Sequence, residues 1–449
     1  MFGTDGIRGY PNQGYFSPEK LVRLGRALCH FLRERGLDQP VLLGKDTRES
    51  GDMLASSLSA GLTSGGFSVV WGGVLPSGAV AYLSRKNDFS LGVVISASHN
   101  SGEYNGIKLF SAQGKKLKVE EERQIKRFYE EGRGVEGKGM GRIEISSSHF
   151  QAEYLQFLEE VFSGLSLTGF KVLLDCAHGA CFQVAPEAFR RLGAYVDAYN
   201  VLPNGRNINQ GCGATSPSFA LERLQATEAD IAFSFDGDGD RVIVIAPTGK
   251  VLDGDHLLAI LALFYQRNGW LSSSRVVSTV MSNVGLERFL EQKGIQLERT
   301  EVGDRWVLEA MEAGGVVLGG EQSGHIILRR YHSTGDGILT ALELMRVLVE
   351  TGLSLEELLE GFRPYPQYLK SFSVSCKPPL EELTSLREIC EEVRNRLGSE
   401  GRILLRYSGT EPLLRVMLEG ESVSLLKELM ERIGEGIEAS SQLQGLGAG

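Results

Sequence analysis

Apolar and polar positions come in blocks that recur along the chain. At VLLGKDTRESG, residues 41–51, an apolar run breaks into polar residues, and the following MLASSLSAGLTSGG carries apolar side chains at helical spacing. The same succession returns at KVLLDCAHGACF (171–182) with APEAFRRLGA after it, and again at RVVSTVMSNVGLERFLEQKG (275–294). Strand, polar turn and helix in that order are the βα unit of a mostly parallel sheet with helices outside it. Three such units predict an α/β protein with three related domains of mixed, mostly parallel sheets. From about residue 368 the pattern changes. A strand-like start, an amphipathic helix at 380–397, a strand at 402–407 and a helix at 422–437 predict a smaller C-terminal α+β domain. The tail SSQLQGLGAG is expected to be disordered.

The 449 residues are enough for several cores. The glycine-rich, charged stretch at 131–142, the segment Gly249–Gly254 and the two prolines of FRPYPQ (362–367) mark boundaries. They predict α/β domains at 1–143, 144–250 and 251–366, and an α+β domain at 367–449. Within the first boundary, GRGVEGKG imitates a phosphate-binding loop, but Gly139 stands where Ser or Thr is needed and no strand precedes it. The net charge of −10 argues against a broad nucleic-acid surface. It leaves room for a small anionic ligand held by a few Arg and Lys. LLAILALF (257–264) is too short to span a bilayer, so no membrane association is expected. The six cysteines form no C-x-x-C pair, and MFGTDGIRG has no basic segment followed by an apolar one, so a cytoplasmic location is expected.

Five polar stretches carry chemistry. LGVVISASHNSGEYNGIKLF (91–110) ends an apolar run in Ser96, Ser98 and His99, with Lys108 ten residues after Ser98. A serine on an exposed loop can carry a phosphoryl group covalently. DGDGDR (236–241) places Asp236, Asp238 and Asp240 between glycines after IAFSF. Three carboxylates so close repel unless a cation sits among them. Arg241 and Pro247 fall where a calcium-binding EF-hand needs Gly and Glu, so that reading fails. Oxygen ligands favour magnesium or calcium, and magnesium completes its shell with phosphate or water. GTDGIRG (3–9) presents Arg8. GGEQSGH (319–325) offers Glu321, Ser323 and His325, and a Glu with a Ser suits sugar hydroxyls by accepting and donating hydrogen bonds. RYSGTEPLLRV (406–416) gathers Arg406, Ser408, Gly409, Thr410 and Arg415, a cradle for a dianion. Lys45 and Arg48 of GKDTR are read as stabilising the first domain.

These stretches together resemble the α-D-phosphohexomutase superfamily, most closely its bacterial phosphoglucosamine mutase branch. The likeness runs from FGTDGIRG through ISASHN, NGIK, DGDGDR, TVMSNVGL, VGDRW, GGEQSGH and TGDG to SGTEPL. It implies an active site in a central cleft and a magnesium-dependent isomerase. That enzyme would interconvert glucosamine 6-phosphate and glucosamine 1-phosphate through a phosphoserine and a bisphosphate, supplying amino-sugar nucleotide and cell-wall precursor synthesis. Phosphomannomutase or phosphoglucomutase activity, and a non-catalytic sugar-phosphate sensor, are the alternatives. By the resemblance Ser98 is the phosphoserine. Asp236, Asp238 and Asp240 hold the metal with a phosphoserine oxygen, and Lys108 and His99 lie near the transferred group. Arg8, Arg241, Glu321, Ser323 and His325 contact substrate, and the loop from Arg406 to Arg415 binds phosphate. Ser101 and Tyr407 stand where the family usually has Pro, and His178 where it has Asn; Ser101 predicts a looser loop. The implied partner is a small sugar phosphate, and the oligomeric state stays open, a homodimer included.

Overall fold

The structure, a computed structural model, describes residues 1–3, 5–133, 139–398, 401–408, 412–440 and 442–444. It divides into two compact units, one of Met1–Met281 with Ile295–Glu360, the other of Ser282–Gly294 with Gly361–Gly449.

Among the described residues the first unit holds three sheets. The first runs Ile7–Gly9, Asn105–Ser111, Leu91–Ile95, Val41–Lys45, Val69–Val74, Ile143–Ile145. The second runs Val251–Leu252, Val242–Ile245, Ile231–Phe235, Lys171–Asp175, Tyr195–Tyr199. The third runs Gln296–Thr300, Arg275–Thr279, Leu318–Gly320, Ile326–Leu328. One four-strand plan underlies all three. Two strands joined by a helical connection lie parallel, a third joins them in parallel, and a fourth turns back antiparallel beside the third. The three recurring apolar blocks of the sequence, at 41, 171 and 275, occupy the same place in their respective sheets. Leu91–Ile95 and Ile231–Phe235 are buried at every residue, which is why they read as continuous apolar runs rather than alternating ones.

Local signals set the helix ends. The helix Gly254–Arg267 starts where the Asp253 carboxylate accepts from the N–H groups of Asp255 and His256. LLAILALF lies inside this helix, and no described helix is long and apolar enough to cross a membrane. The helix Gly337–Thr351 starts on Asp336 and stops at Gly352, whose φ of +67° suits glycine.

The second unit contains an antiparallel sheet ordered Gln367–Ser373, Leu413–Glu419, Arg402–Tyr407. Helices Thr384–Leu397 and Val423–Glu438 supply Leu386, Val393, Leu429 and Ile433 to its core. The sequence shows Leu413–Glu419 only as an apolar run, yet it is the central strand. The tail departs from expectation. Residues 442–444 form a turn, Leu443 is buried in this core, and its carbonyl accepts from the Ser375 N–H at 2.8 Å. A single large apolar side chain in a polar segment is enough to anchor it. The rest of the tail beyond residue 444 lies outside the described residues.

Candidate active site

Each sheet of the first unit ends its third strand in a polar connection. Ile95 leads into the Ser98 loop, Phe235 into the Asp236 loop, and Gly320 into the Glu321 loop. Each of these strands has a parallel neighbour on one side and an antiparallel one on the other. Open α/β sheets bind ligands outside strand carboxyl ends where the order switches.

The acidic loop meets the serine loop directly. Ligand oxygens of Asp236, Asp238 and Asp240 lie within 4.8 Å of one another, and all three residues are buried. The Ser98 hydroxyl donates to Asp236 Oδ2 at 2.7 Å. Two glycines make this approach sterically possible. A Cβ on Gly237 would stand 2.5 Å from the Ser98 carbonyl oxygen, and one on Gly239, with φ +69°, 2.3 Å from Cys181 Sγ. Ser77 orients Asp238, its hydroxyl donating to Oδ2 at 2.6 Å and its N–H to the Asp238 carbonyl at 2.9 Å. Asp238 Oδ1 and Asp240 Oδ1 are buried without a hydrogen-bond partner. Buried carboxylate oxygens left so are costly, and an all-oxygen donor set is what a hard divalent cation takes. The residues therefore fit a metal such as magnesium.

Charge around the trio is dense. Lys108 Nζ, with its side chain 1% exposed, lies 2.8 Å from Asp238, 2.7 Å from Asp240 and 3.2 Å from Asp5. Burial pulls its pKa down, but Asp238, Asp240 and Asp5 outweigh burial and raise it well above the usual lysine value. A neutral Lys108, which general-base chemistry requires, is therefore disfavoured in this arrangement. Burial and the neighbouring Asp240 and Asp238 push Asp236 up to about 8. Burial likewise raises Asp240, yet Lys108 and His325 hold it well below the carboxylate range. His99 Nδ1 stands 3.3 Å from the Ser98 hydroxyl. Burial, with Arg241 and Arg8, lowers His99 to about 4, so its ring is neutral at ordinary pH.

Glu321, His325 and Arg241 line a cavity of about 160 Å³ beside the trio. Its other walls include Asp5, Lys116 and Asp304, which sequence reasoning did not single out. Lys116 bridges Asp5 at 2.5 Å and Asp304 at 2.7 Å. His325 lies 3.6 Å from Asp240 and 3.4 Å from Asp304. Burial lowers its pKa, the two carboxylates more than offset this, and the net shift is upward. Asp5 and Asp304 stand inside the quoted stretches GTDGIRG and VGDRW, so their signal was present. Lys116, in SAQGKKLKV, looks like any surface lysine. Ser323 is exposed at the tip of its loop. Arg8, on strand Ile7–Gly9, donates to the Ala97 carbonyl, to Asn100 Oδ1 at 2.7 Å and to Asp5.

The phosphate-loop candidates belong to the second unit. Arg406 and Arg415 are cross-strand partners on adjacent strands. Like charges placed opposite each other suit a site for an anion. The Ser408 carbonyl accepts from Lys377 Nζ at 2.5 Å, and Tyr407 donates its hydroxyl to the Pro378 carbonyl at 2.7 Å. Gly409 and Thr410 lie outside the described residues.

Comparison with known proteins agrees with this architecture. The chain matches four phosphoglucomutase/phosphomannomutase models: alpha/beta/alpha domain I over residues 1–135, domain II over 152–249, domain III over 253–365, and the C-terminal domain over 370–435. It is 43% identical to the phosphoglucosamine mutase of Ruegeria sp. (strain TM1040), covering 98% of this chain and 99% of that protein. A phosphoglucomutase/phosphomannomutase family protein from Burkholderia thailandensis has the same fold, with a TM-score of 0.80 at 23% identity over 98% of both chains. The fold also matches Aspergillus fumigatus N-acetylphosphoglucosamine mutase, solved with GlcNAc-6P and magnesium, at a TM-score of 0.64 and 17% identity over 97% and 95% of the two chains. Fold and matches together define an isomerase of the phosphohexomutase class. Within that class, the chain belongs to the phosphoglucomutase/phosphomannomutase family.

Proposed function

We propose that the chain interconverts glucosamine 6-phosphate and glucosamine 1-phosphate, with Ser98 as the phosphoryl carrier. The observation that carries this reading is the 2.7 Å contact between the Ser98 hydroxyl of one sheet and Asp236 of another. The choice of sugar is supported by phosphoglucosamine mutases more than two-fifths identical over nearly the whole chain.

In the first half-reaction the substrate O1 forms a bond to phosphorus as the bond from phosphorus to Ser98 Oγ breaks, and the O1 proton is released. The product is the 1,6-bisphosphate. In the second half-reaction Ser98 Oγ attacks the 6-phosphoryl group, the bond to O6 breaks, and O6 regains a proton. Asp236, Asp238 and Asp240 would hold the magnesium, which supplies charge stabilisation to the transferring phosphoryl group when bound. Lys108, kept charged by its carboxylate neighbours, adds a fixed cation at the same place. Glu321 and Ser323 read sugar hydroxyls, Arg8, Arg241 and His325 contact the substrate, and the loop from Arg406 to Arg415, Gly409 and Thr410 included, binds its phosphate. A cytoplasmic location fits a soluble phosphosugar substrate, its product serving amino-sugar nucleotide and cell-wall precursor synthesis.

Intact-mass analysis tests the carrier. The native protein incubated with hexose 1,6-bisphosphate should gain about 80 Da, one phosphoryl group, on a serine. Ser98→Ala should neither gain this mass nor turn over glucosamine 6-phosphate. A Ser98→Ala variant with native turnover would overturn the reading. Parallel assays on glucose and mannose 6-phosphates settle the sugar.

A further inference from the structure

We infer that Arg48 is the positioning residue of the phosphoryl-carrying loop, holding the Ser98 backbone where its hydroxyl meets the acidic loop. This rests on the reading of Ser98 as carrier. Arg48 lies on another connection, after strand Val41–Lys45, and is 1% exposed. Its five N–H groups meet five acceptors. Nε donates to Asp46 Oδ2 at 2.8 Å. One terminal nitrogen donates to the carbonyls of Ser101 and, at 2.9 Å, Tyr104. The other donates to the carbonyls of Ser98 at 3.1 Å and Asn100 at 2.8 Å. One planar group thus fixes four carbonyls of a seven-residue turn.

Ser98 needs such a grip. Its φ is +52°, a left-handed conformation that serine adopts at a cost and keeps only where the surroundings over-determine it. Further contacts converge on the same peptide units. Asn209 Nδ2, from the second sheet's connections, donates to the carbonyls of Ser98 at 2.8 Å and Asn100 at 2.9 Å. On the N-terminal side, the Ser98 N–H donates to Ser96 Oγ at 2.9 Å, whose hydroxyl donates to Asp46 Oδ2 at 2.6 Å. Asp46 and Arg48 therefore brace Ser98 from both sides. A lysine keeps the charge but lacks the fork, so it cannot span these carbonyls.

The test compares Arg48→Lys, Asn209→Ala, the double variant and Ser98→Ala on glucosamine 6-phosphate with magnesium. Displacing a reacting group by an ångström costs about 100-fold in rate. Arg48→Lys should therefore lower kcat by about 10- to 100-fold while KM stays within about 2-fold, because sugar binding is untouched. Asn209→Ala should lower kcat less, and the double variant should lose less than the product of the two, because both act on the same peptide units. A purely structural role would lower Tm and leave kcat per folded molecule unchanged; that result overturns the inference. If Arg48→Lys does not fold, an unchanged kcat in Asn209→Ala overturns it equally. Native turnover by Ser98→Ala would instead remove the carrier reading beneath it.

Discussion

Removing Arg305 should strand a buried charge. Its guanidinium grips Glu122 through two hydrogen bonds, of 3.0 and 2.5 Å, with the two side chains 9% and 10% exposed. The pair ties helix Val119–Glu130, next to the first sheet in the chain, to helix Asp304–Ala313 of the third. Unit charges about 3 Å apart attract by about 5–6 kcal/mol at an effective dielectric of about 20. Desolvation takes back several kcal/mol per ion, so the pair as a whole contributes little. Losing one partner is different. Arg305→Met should cost about 3–5 kcal/mol, because Glu122 stays buried and charged. Replacing both by Met and Leu should return most of that cost, giving a coupling of about 3 kcal/mol or more. Burial already raises the Glu122 pKa, with Arg305 pulling it back only in part. Without Arg305 it rises further, so the folded state binds a proton that the unfolded state releases. Stability of Arg305→Met should therefore fall as pH rises from the ordinary carboxylate range towards the raised pKa, and the penalty should be smaller at mildly acid pH than at alkaline pH. A chain of this length is not a two-state system, so the assay is hydrogen exchange of peptides covering the two helices. A cost under about 1 kcal/mol, the value of an exposed ion pair, or a cost that does not change with pH, would mean that no buried charge is stranded.

Two further outcomes are expected. Asp240→Asn should weaken magnesium binding by about 10-fold or more, measured by titration calorimetry on the dephosphorylated protein, because it removes one anionic ligand from the trio; unchanged affinity would place the metal elsewhere. Of the six cysteines Cys376 is exposed and five are buried, and burial pushes Cys29 and Cys212 up to about 12. One thiol should react quickly with a disulfide reagent at about pH 8 and the others only on unfolding, since thiolate is the reactive form; a second fast thiol would contradict the packing.

The chemistry-bearing loops were legible because they depend on residue types that the fold does not otherwise require. DGDGDR needs glycines for backbone approach and carboxylates for charge, and both are written in the sequence. Ser98 stood out by sitting at the end of a fully buried strand. What escaped was chemistry that depends on distance across the fold. Lys116 carries no local mark, and only the folded chain brings it between Asp5 and Asp304. Arg48 passes in the sequence for a stabiliser of the first domain, because nothing near it along the chain shows the four carbonyls it reaches. The Ser101 carbonyl, in the loop expected to be looser for want of Pro, is one of the four. In the second unit, Leu413–Glu419 was hard to class because a short apolar run does not reveal its period.

The charge census explains why a carrier serine and a metal site belong together here. The carboxylates of Asp5, Asp236, Asp238, Asp240, Asp304 and Glu321 are interleaved with the cationic groups of Arg8, Lys108, Lys116, Arg241 and His325. The set is close to neutral, which a buried site needs. A phosphoryl group on Ser98 brings nearly two negative charges to a place where burial, with Asp240 and Asp238, already pushes Asp236 up to about 8. Lys108 alone does not balance it, because its ammonium is already shared among Asp238, Asp240 and Asp5. A divalent cation restores the balance, and Asp238 Oδ1 and Asp240 Oδ1, which accept no hydrogen bond, are placed to take one. On this argument the metal and the phosphoryl group are electrostatically a single requirement. Magnesium should consequently bind the phosphorylated protein more tightly than the dephosphorylated one, and equal affinity for the two forms would break the link.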